Sequence, residues 1–216
     1  MQQSDLAASA EDRSRFFWWL AEWFLNPPSR EMLAGLPEKE GEDSPGDALD
    51  RAWQALARAR PDPQSASLDE LGAEFTRLVS GVQEGSGPPP PFESVWREDR
   101  LIGETTVAVI EAYLQAGFAD IAPEAGPQDH IAVELRFLAL LALREADSWR
   151  GGDTAGAEKR LDQQRDFLAH HLGTWAPCWA DRVMADARIP LFSALAGLAK
   201  AGLEQALQEL AEPVAA

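Results

Sequence analysis

The chain has 216 residues, 45% hydrophobic and 25% charged, which is enough apolar material for one packed domain and too little bias for global disorder. Thirty-six acidic residues face 19 basic ones, and the net charge of -17 repels nucleic acid and anionic membrane while attracting cationic partners such as an arginine-bearing peptide. A single cysteine, Cys178, excludes an internal disulfide or a cysteine-rich zinc site; the polar start Met1–Asp12 lacks the basic and apolar regions of a secretory signal, and no apolar run nears the roughly 20 residues that span a bilayer, so a cytoplasmic chain without stable membrane insertion is expected.

The first periodic segment runs from about Glu11 to Leu25, with Phe16, Trp19, Leu20, Trp23 and Phe24 on one broad helical face. Asn26-Pro27-Pro28 stops it. Trp18 lies off that face, beside Glu22, and is expected to pack against a neighbouring helix. A short helix over Ser29–Leu36 leads into an acidic, turn-rich stretch, Pro37–Asp47. Helices over Ala48–Arg60 and Leu68–Ser80 follow, separated by Pro61-Asp62-Pro63; the second carries Leu68, Leu71, Phe75, Leu78 and Val79 as its stripe.

Gly81–Asp99 differs in kind. It holds the run Pro88–Pro91, followed at once by Phe92, Val95 and Trp96. Proline runs favour extended backbone and cannot continue a helix, whereas three large apolar residues need burial, so the loop reads as functional. Helical periodicity resumes over Gly103–Phe118, and the proline-containing turn Pro123–Pro127 precedes the most apolar helix, from His130 to Leu143. Further helices are predicted over Asp153–His171, Pro177–Ala187 and Pro190–Leu210. No strand-like alternation appears anywhere. The expectation is an all-α, single-domain bundle of about eight to ten helices, covering residues 1–216 with a proline-rich loop at 81–99.

The sharpest polar feature is Asp129-His130 with Glu134. Pro127 looks like a first-turn residue, which places Asp129 in that turn, where the helix dipole favours a carboxylate. His130 and Glu134 are one turn apart and share a face with Phe137, Leu138 and Leu141. Polar groups within an apolar stripe are either paired in the core or lining a cleft. A buried His–Glu pair fixing register and an acid–base pair both remain open, although no nucleophile or oxyanion signature accompanies them. Metal is poorly supported: the other histidines, His170 and His171, are adjacent and point about 100° apart on a helix, and no phosphate-binding glycine loop or dinucleotide fingerprint occurs. Most of the eight tryptophans fall on helix faces; Trp96, after the proline loop, stands apart.

Several motifs together resemble the TorD/DmsD family, the chaperones of complex iron–sulfur molybdoenzymes. They are Pro91-Phe92-Glu93-Ser94-Val95-Trp96, Gly103-Glu104-Thr105-Thr106, Asp129-His130, His171-Leu172-Gly173-Thr174-Trp175 and Pro190-Leu191-Phe192-Ser193-Ala194-Leu195. The N-terminal aromatic helix ending in Asn-Pro-Pro and the Glu74-Phe75-x-x-Leu78 helix fit as well, so the resemblance covers about Arg15–Lys200. It implies an all-helical fold, a monomer or a domain-swapped dimer, no cofactor and no catalysis. The implied partner is the twin-arginine leader of a molybdoenzyme catalytic subunit, held until cofactor loading. Family binding positions fall on Phe92, Trp96, Gly103, Asp129 and His130; Phe92 departs from the common tryptophan, and Ser80 stands where an aromatic is frequent. The resulting candidate site is Phe75, Phe92, Glu93, Ser94, Val95, Trp96, Asp99, Gly103, Asp129, His130 and Glu134. In it, the leader's apolar stretch packs on Phe75, Phe92, Val95 and Trp96, and its arginines meet carboxylates near Glu93, Asp99 and Asp129. The rivals are a nitrate-reductase-type assembly chaperone with a cytoplasmic client, a small hydrolase using Asp129, His130 and Glu134, and a plain helical adaptor.

Overall fold

A computed structural model of the chain describes residues 3–38, 46–80 and 87–211. Most of the acidic stretch expected at Pro37–Asp47, and the first part of the proline-rich loop, lie outside them.

Among the described residues there are ten α-helices: α1 (Gln3–Leu25), α2 (Arg30–Ala34), α3 (Ala48–Ala59), α4 (Leu68–Phe75), α5 (Glu93–Glu98), α6 (Glu104–Gln115), α7 (Ile131–Arg150), α8 (Thr154–His170), α9 (Leu172–Asp186) and α10 (Pro190–Ala211). A π-helical turn, Thr76–Ser80, extends α4, and a 3-10 turn spans Pro123–Ala125. No strand occurs among them, only a one-residue bridge between Phe92 and His130. The all-α expectation and the helix number hold.

Local chemistry explains most boundaries. Ser29, Ser67 and Asp153 each accept a backbone N–H in the first turn of the helix that follows, and Asp47 with Asp50 forms a reciprocal capping box. Four expectations needed correction. α1 begins eight residues earlier than predicted, because Ala7, Ala10, Ser14, Phe17, Ala21 and Phe24 form a buried stripe at spacings of three and four. Phe17 is therefore central on that face, and Phe16 is only half-buried. α5 forms inside the segment read as a loop. α9 begins at Leu172, with Pro177 inside it rather than at its start. Asp129 lies outside the first turn of α7; His130 is the N-cap, and its Nδ1 accepts the Ala132 N–H at 3.2 Å.

The chain forms two compact units. The first comprises residues 1–25, 92–175 and 206–216, the second 26–91 and 176–205. In the first, α1 and α8 pack along α7, which buries thirteen of its twenty residues. A run of rings, Tyr113, Phe137, Phe167 and His171, follows one line of contacts, with successive centroids 4.5, 4.7 and 5.0 Å apart. Trp18 remains 43% exposed and meets its neighbouring helix through Arg136, whose guanidinium lies 5.1 Å over the ring. A Cβ on Gly173 would stand 2.4 Å from the Leu168 carbonyl, so the one-residue corner between α8 and α9 requires glycine there. In the second unit, Glu74 grips Arg77 through two hydrogen bonds of 2.7 and 2.6 Å and accepts the Arg188 N–H. Burial pushes the Glu74 carboxyl up, but those hydrogen bonds outweigh it and hold it below its ordinary value.

Candidate functional site

Ten of the eleven candidate residues fall in the first unit, and Phe75, buried, falls in the second. The ten are organised by the short helix α5. Six residues are too few to hold a helix without help, and the N-cap Phe92 offers no side-chain oxygen. The missing acceptors come from Asp129. Its carbonyl takes the Glu93 N–H at 2.9 Å and its Oδ2 takes the Ser94 N–H at 2.9 Å. Asp129 thus caps a helix, but one 35 residues away in sequence instead of its own. The Phe92–His130 bridge and an edge-on ring contact of 5.0 Å between the same residues complete the mount.

Behind this mount three carboxyl groups, those of Glu93, Asp129 and Glu134, are completely buried. Glu93 receives Arg97 Nη1 at 2.5 Å on one oxygen and His171 Nδ1 at 3.1 Å on the other. Nδ1 of His130, which accepts the Ala132 N–H, carries no proton. Glu134 Oε2 accepts from Trp175 Nε1 at 3.4 Å. Burial, with the charges of Glu93 and Asp129 beside it, raises the Glu134 carboxyl well above its ordinary value. Three buried polar atoms, Ser94 Oγ, Asp129 Oδ1 and Glu134 Oε1, have no hydrogen-bond partner. Unsatisfied groups of this kind are scarce in folded chains.

Phe92, Val95 and Trp96 are half-buried, and Asp99 is exposed with a left-handed backbone that ends α5. Gly103 was expected to permit close backbone approach; the neighbour is in fact a side chain, since a Cβ there would stand 2.1 Å from Glu98 Oε2. That carboxylate accepts the Glu104 and Thr105 N–H groups at 3.3 and 2.5 Å, capping α6. Hydrogen bonds from Thr105, assisted by Arg100, hold the Glu98 carboxyl down at about 2.

Beside this cluster a cavity of about 260 Å³ opens in the same unit. Phe137, Phe167 and His171 line it, and Gln115, Gln163 and Asp166 add polar groups. His171 therefore joins the cavity to Glu93. Sequence reading missed His171, Trp175 and Arg97 as site residues; the His171-Leu172-Gly173-Thr174-Trp175 motif was the available signal. The second unit has a cavity of about 620 Å³, lined chiefly by alanines of α3 and α10, which contains none of the candidate residues. No group of three or more potential metal ligands gathers among the described residues, and no helix there is long and apolar enough to cross a membrane.

Comparison with known proteins agrees with this architecture. Residues 42–181 match the family described as nitrate reductase delta subunit. The chaperone protein TorD of Vibrio cholerae serotype O1 is 30% identical over 208 residues, spanning 90% of each chain. The Tat proofreading chaperone DmsD of Salmonella typhi is 28% identical, spanning 100% of this chain and 95% of that one. A crystal structure described as a redox enzyme maturation protein of Archaeoglobus fulgidus has the same fold, with a TM-score of 0.53 at 19% identity over 87% of this chain and 91% of that one.

Proposed function

Since this chain belongs to the nitrate reductase delta subunit family, with the TorD and DmsD chaperones as its relatives, we propose that it is a cytoplasmic, system-specific chaperone that binds the twin-arginine leader of a molybdenum oxidoreductase and assists its maturation before export. The observation that carries this reading is the mounting of α5: Asp129, fully buried and distant in sequence, fixes a six-residue helix so that Phe92, Val95 and Trp96 stay partly open to solvent. A helix held so firmly is a platform prepared for a partner. Glu93 and Asp129 are turned inward, so their part is to hold the platform. The leader's arginines meet exposed carboxylates instead, Asp99 after α5 and Asp166 at the 260 Å³ cavity. The net charge of -17 draws such a leader in.

Calorimetric titration with a synthetic leader carrying two adjacent arginines and an apolar stretch, beside one with both arginines changed to alanine, tests the proposal. Binding of the first alone is the expected result. Equal binding of both supports the assembly chaperone of a cytoplasmic client, and binding of neither removes the leader reading. Trp96→Ala is expected to weaken binding about tenfold with its thermal midpoint nearly unchanged.

A further inference from the structure

Among the described residues, seven large apolar side chains are markedly exposed, and five of them fall within residues 101–114: Leu101 at 51%, Ile102 at 63%, Val107 at 55%, Ile110 at 36% and Leu114 at 59%. Chance scatter of single exposed residues does not account for that concentration. Val107, Ile110 and Leu114 stand at i, i+3 and i+7, one ridge along α6, and Leu101 and Ile102 lead into it.

The ridge is on a helix fixed at both ends. Glu98 caps its N-terminus, and Arg144 and Arg160 both donate to the Ala116 carbonyl at its C-terminus, at 3.0 and 3.2 Å. Ile102 has φ of +60°, a conformation that β-branched residues rarely adopt, and the strained turn projects it outward. Rigid mounting, local strain and outward apolar side chains together mark a surface awaiting a partner.

Charge selects the occupant. The next stripe around α6 carries Glu104 and Glu111, both exposed, so the ridge is apolar on one flank and acidic on the other. A second copy of this chain would bring another net charge of -17 against the first, which opposes self-association. A segment both apolar and basic fits both stripes.

We propose that this ridge is the docking face for the apolar stretch of the client leader, which lies along α6 as a helix, with basic residues other than the arginine pair toward Glu104 and Glu111. The proposal rests on the leader reading above. From Val107 to Leu114 the ridge runs about 10 Å, two turns of α6, and the spacing of its side chains is the one that interlocks helices. A leader unstructured in water becomes helical as it docks.

The test titrates wild type and the double variant Val107→Ser/Leu114→Ser with the synthetic twin-arginine leader and with a version whose apolar stretch is replaced by serines. Both substituted side chains are exposed, so the variant is expected to keep the wild-type thermal midpoint. It should bind the intact leader at least tenfold more weakly, equivalent to about 1.4 kcal/mol, yet match wild type for the serine version. Circular dichroism should show helix gained when the leader meets wild type and none gained with the variant. Equal affinity of wild type and variant for the intact leader overturns the docking face and leaves the leader reading intact. No wild-type binding overturns both. Light scattering that shows self-association in wild type, lost in the variant, assigns the ridge to a second copy and likewise overturns the proposal.

Discussion

The first unit contains two buried polar clusters of opposite character. In one, Glu145 receives Arg13 Nη2 at 2.6 Å, Gln164 Nε2 at 2.8 Å and Trp149 Nε1 at 3.2 Å, while Arg13 Nε reaches Gln164 Oε1 at 3.0 Å. Arg13 pairs closely with Glu145 and more loosely, at 3.9 Å, with the half-exposed Glu209, and both Glu145 oxygens are partnered. In the other, Glu93, Asp129 and Glu134 bring three carboxyls together, and Asp129 Oδ1, Glu134 Oε1 and Ser94 Oγ have no partner. The closed cluster ties α1, α7 and α8 into a scaffold. The open one stands behind α5, the element with partly exposed aromatics, where the fold tolerates an electrostatic cost for the sake of a mounted surface.

Four substitutions separate the two clusters, taken from the largest effect downward. Glu145→Ala leaves Arg13 with only the half-exposed Glu209 at 3.9 Å and strips Gln164 and Trp149 of their acceptor, and should cost about 3 kcal/mol in urea unfolding, with leader affinity of the folded protein unchanged. A loss below about 1 kcal/mol would erase the contrast between scaffold and platform. Asp129→Ala removes the distant cap of α5 and should cost about 1–2 kcal/mol while weakening leader binding. Asp129→Asn, which keeps an acceptor for the Ser94 N–H, should recover part of both.

Glu134→Gln sharpens the comparison through pH. The folded Glu134 carboxyl is raised, so above the ordinary value of 4.5 the unfolded chain has released this proton while the folded chain still holds it. Wild-type stability should therefore fall as pH rises from 4.5 toward the folded value, by at most about 1.4 kcal/mol per pH unit for one proton. The variant, neutral in both states, should be flatter over that window and cost less than about 1 kcal/mol below it. Identical pH profiles would mean that Glu134 is charged in the folded chain. Glu98 acts in the opposite sense: its contribution is present above 4.5 and disappears as pH falls through about 2. The smallest effect expected is from Ile102→Asn, which relieves the left-handed strain and should raise the thermal stability by about 0.5 kcal/mol.

Helices whose ends are marked by prolines, serines and aspartates near in sequence were legible: α2, α3, α4 and the start of α8 all have caps within three residues. α5 was not, because its cap comes from Asp129 and the adjacent proline run suggested a loop. The early turns of α1 were hidden by small side chains, Ala7 and Ala10, which reveal their burial only against α7. The site divides the same way. Asp129, His130 and Glu134 were visible as polar residues in an apolar stripe. The partners of the two carboxyls, His171 for Glu93 and Trp175 for Glu134, lie 78 and 41 residues away, a pairing no local pattern encodes. Nor does periodicity distinguish a helix face that packs from one left open, so the helix predicted over Gly103–Phe118 gave no sign that Val107 and Leu114 stay exposed.

The most direct test of a mounted leader platform is hydrogen–deuterium exchange across the chain with and without the twin-arginine leader at saturating concentration. Slowed exchange confined mainly to residues 92–115 and to the segment around His171 is the predicted result. Saturation of the leader with exchange slowed only in the second unit, and residues 92–115 unchanged, would contradict the account.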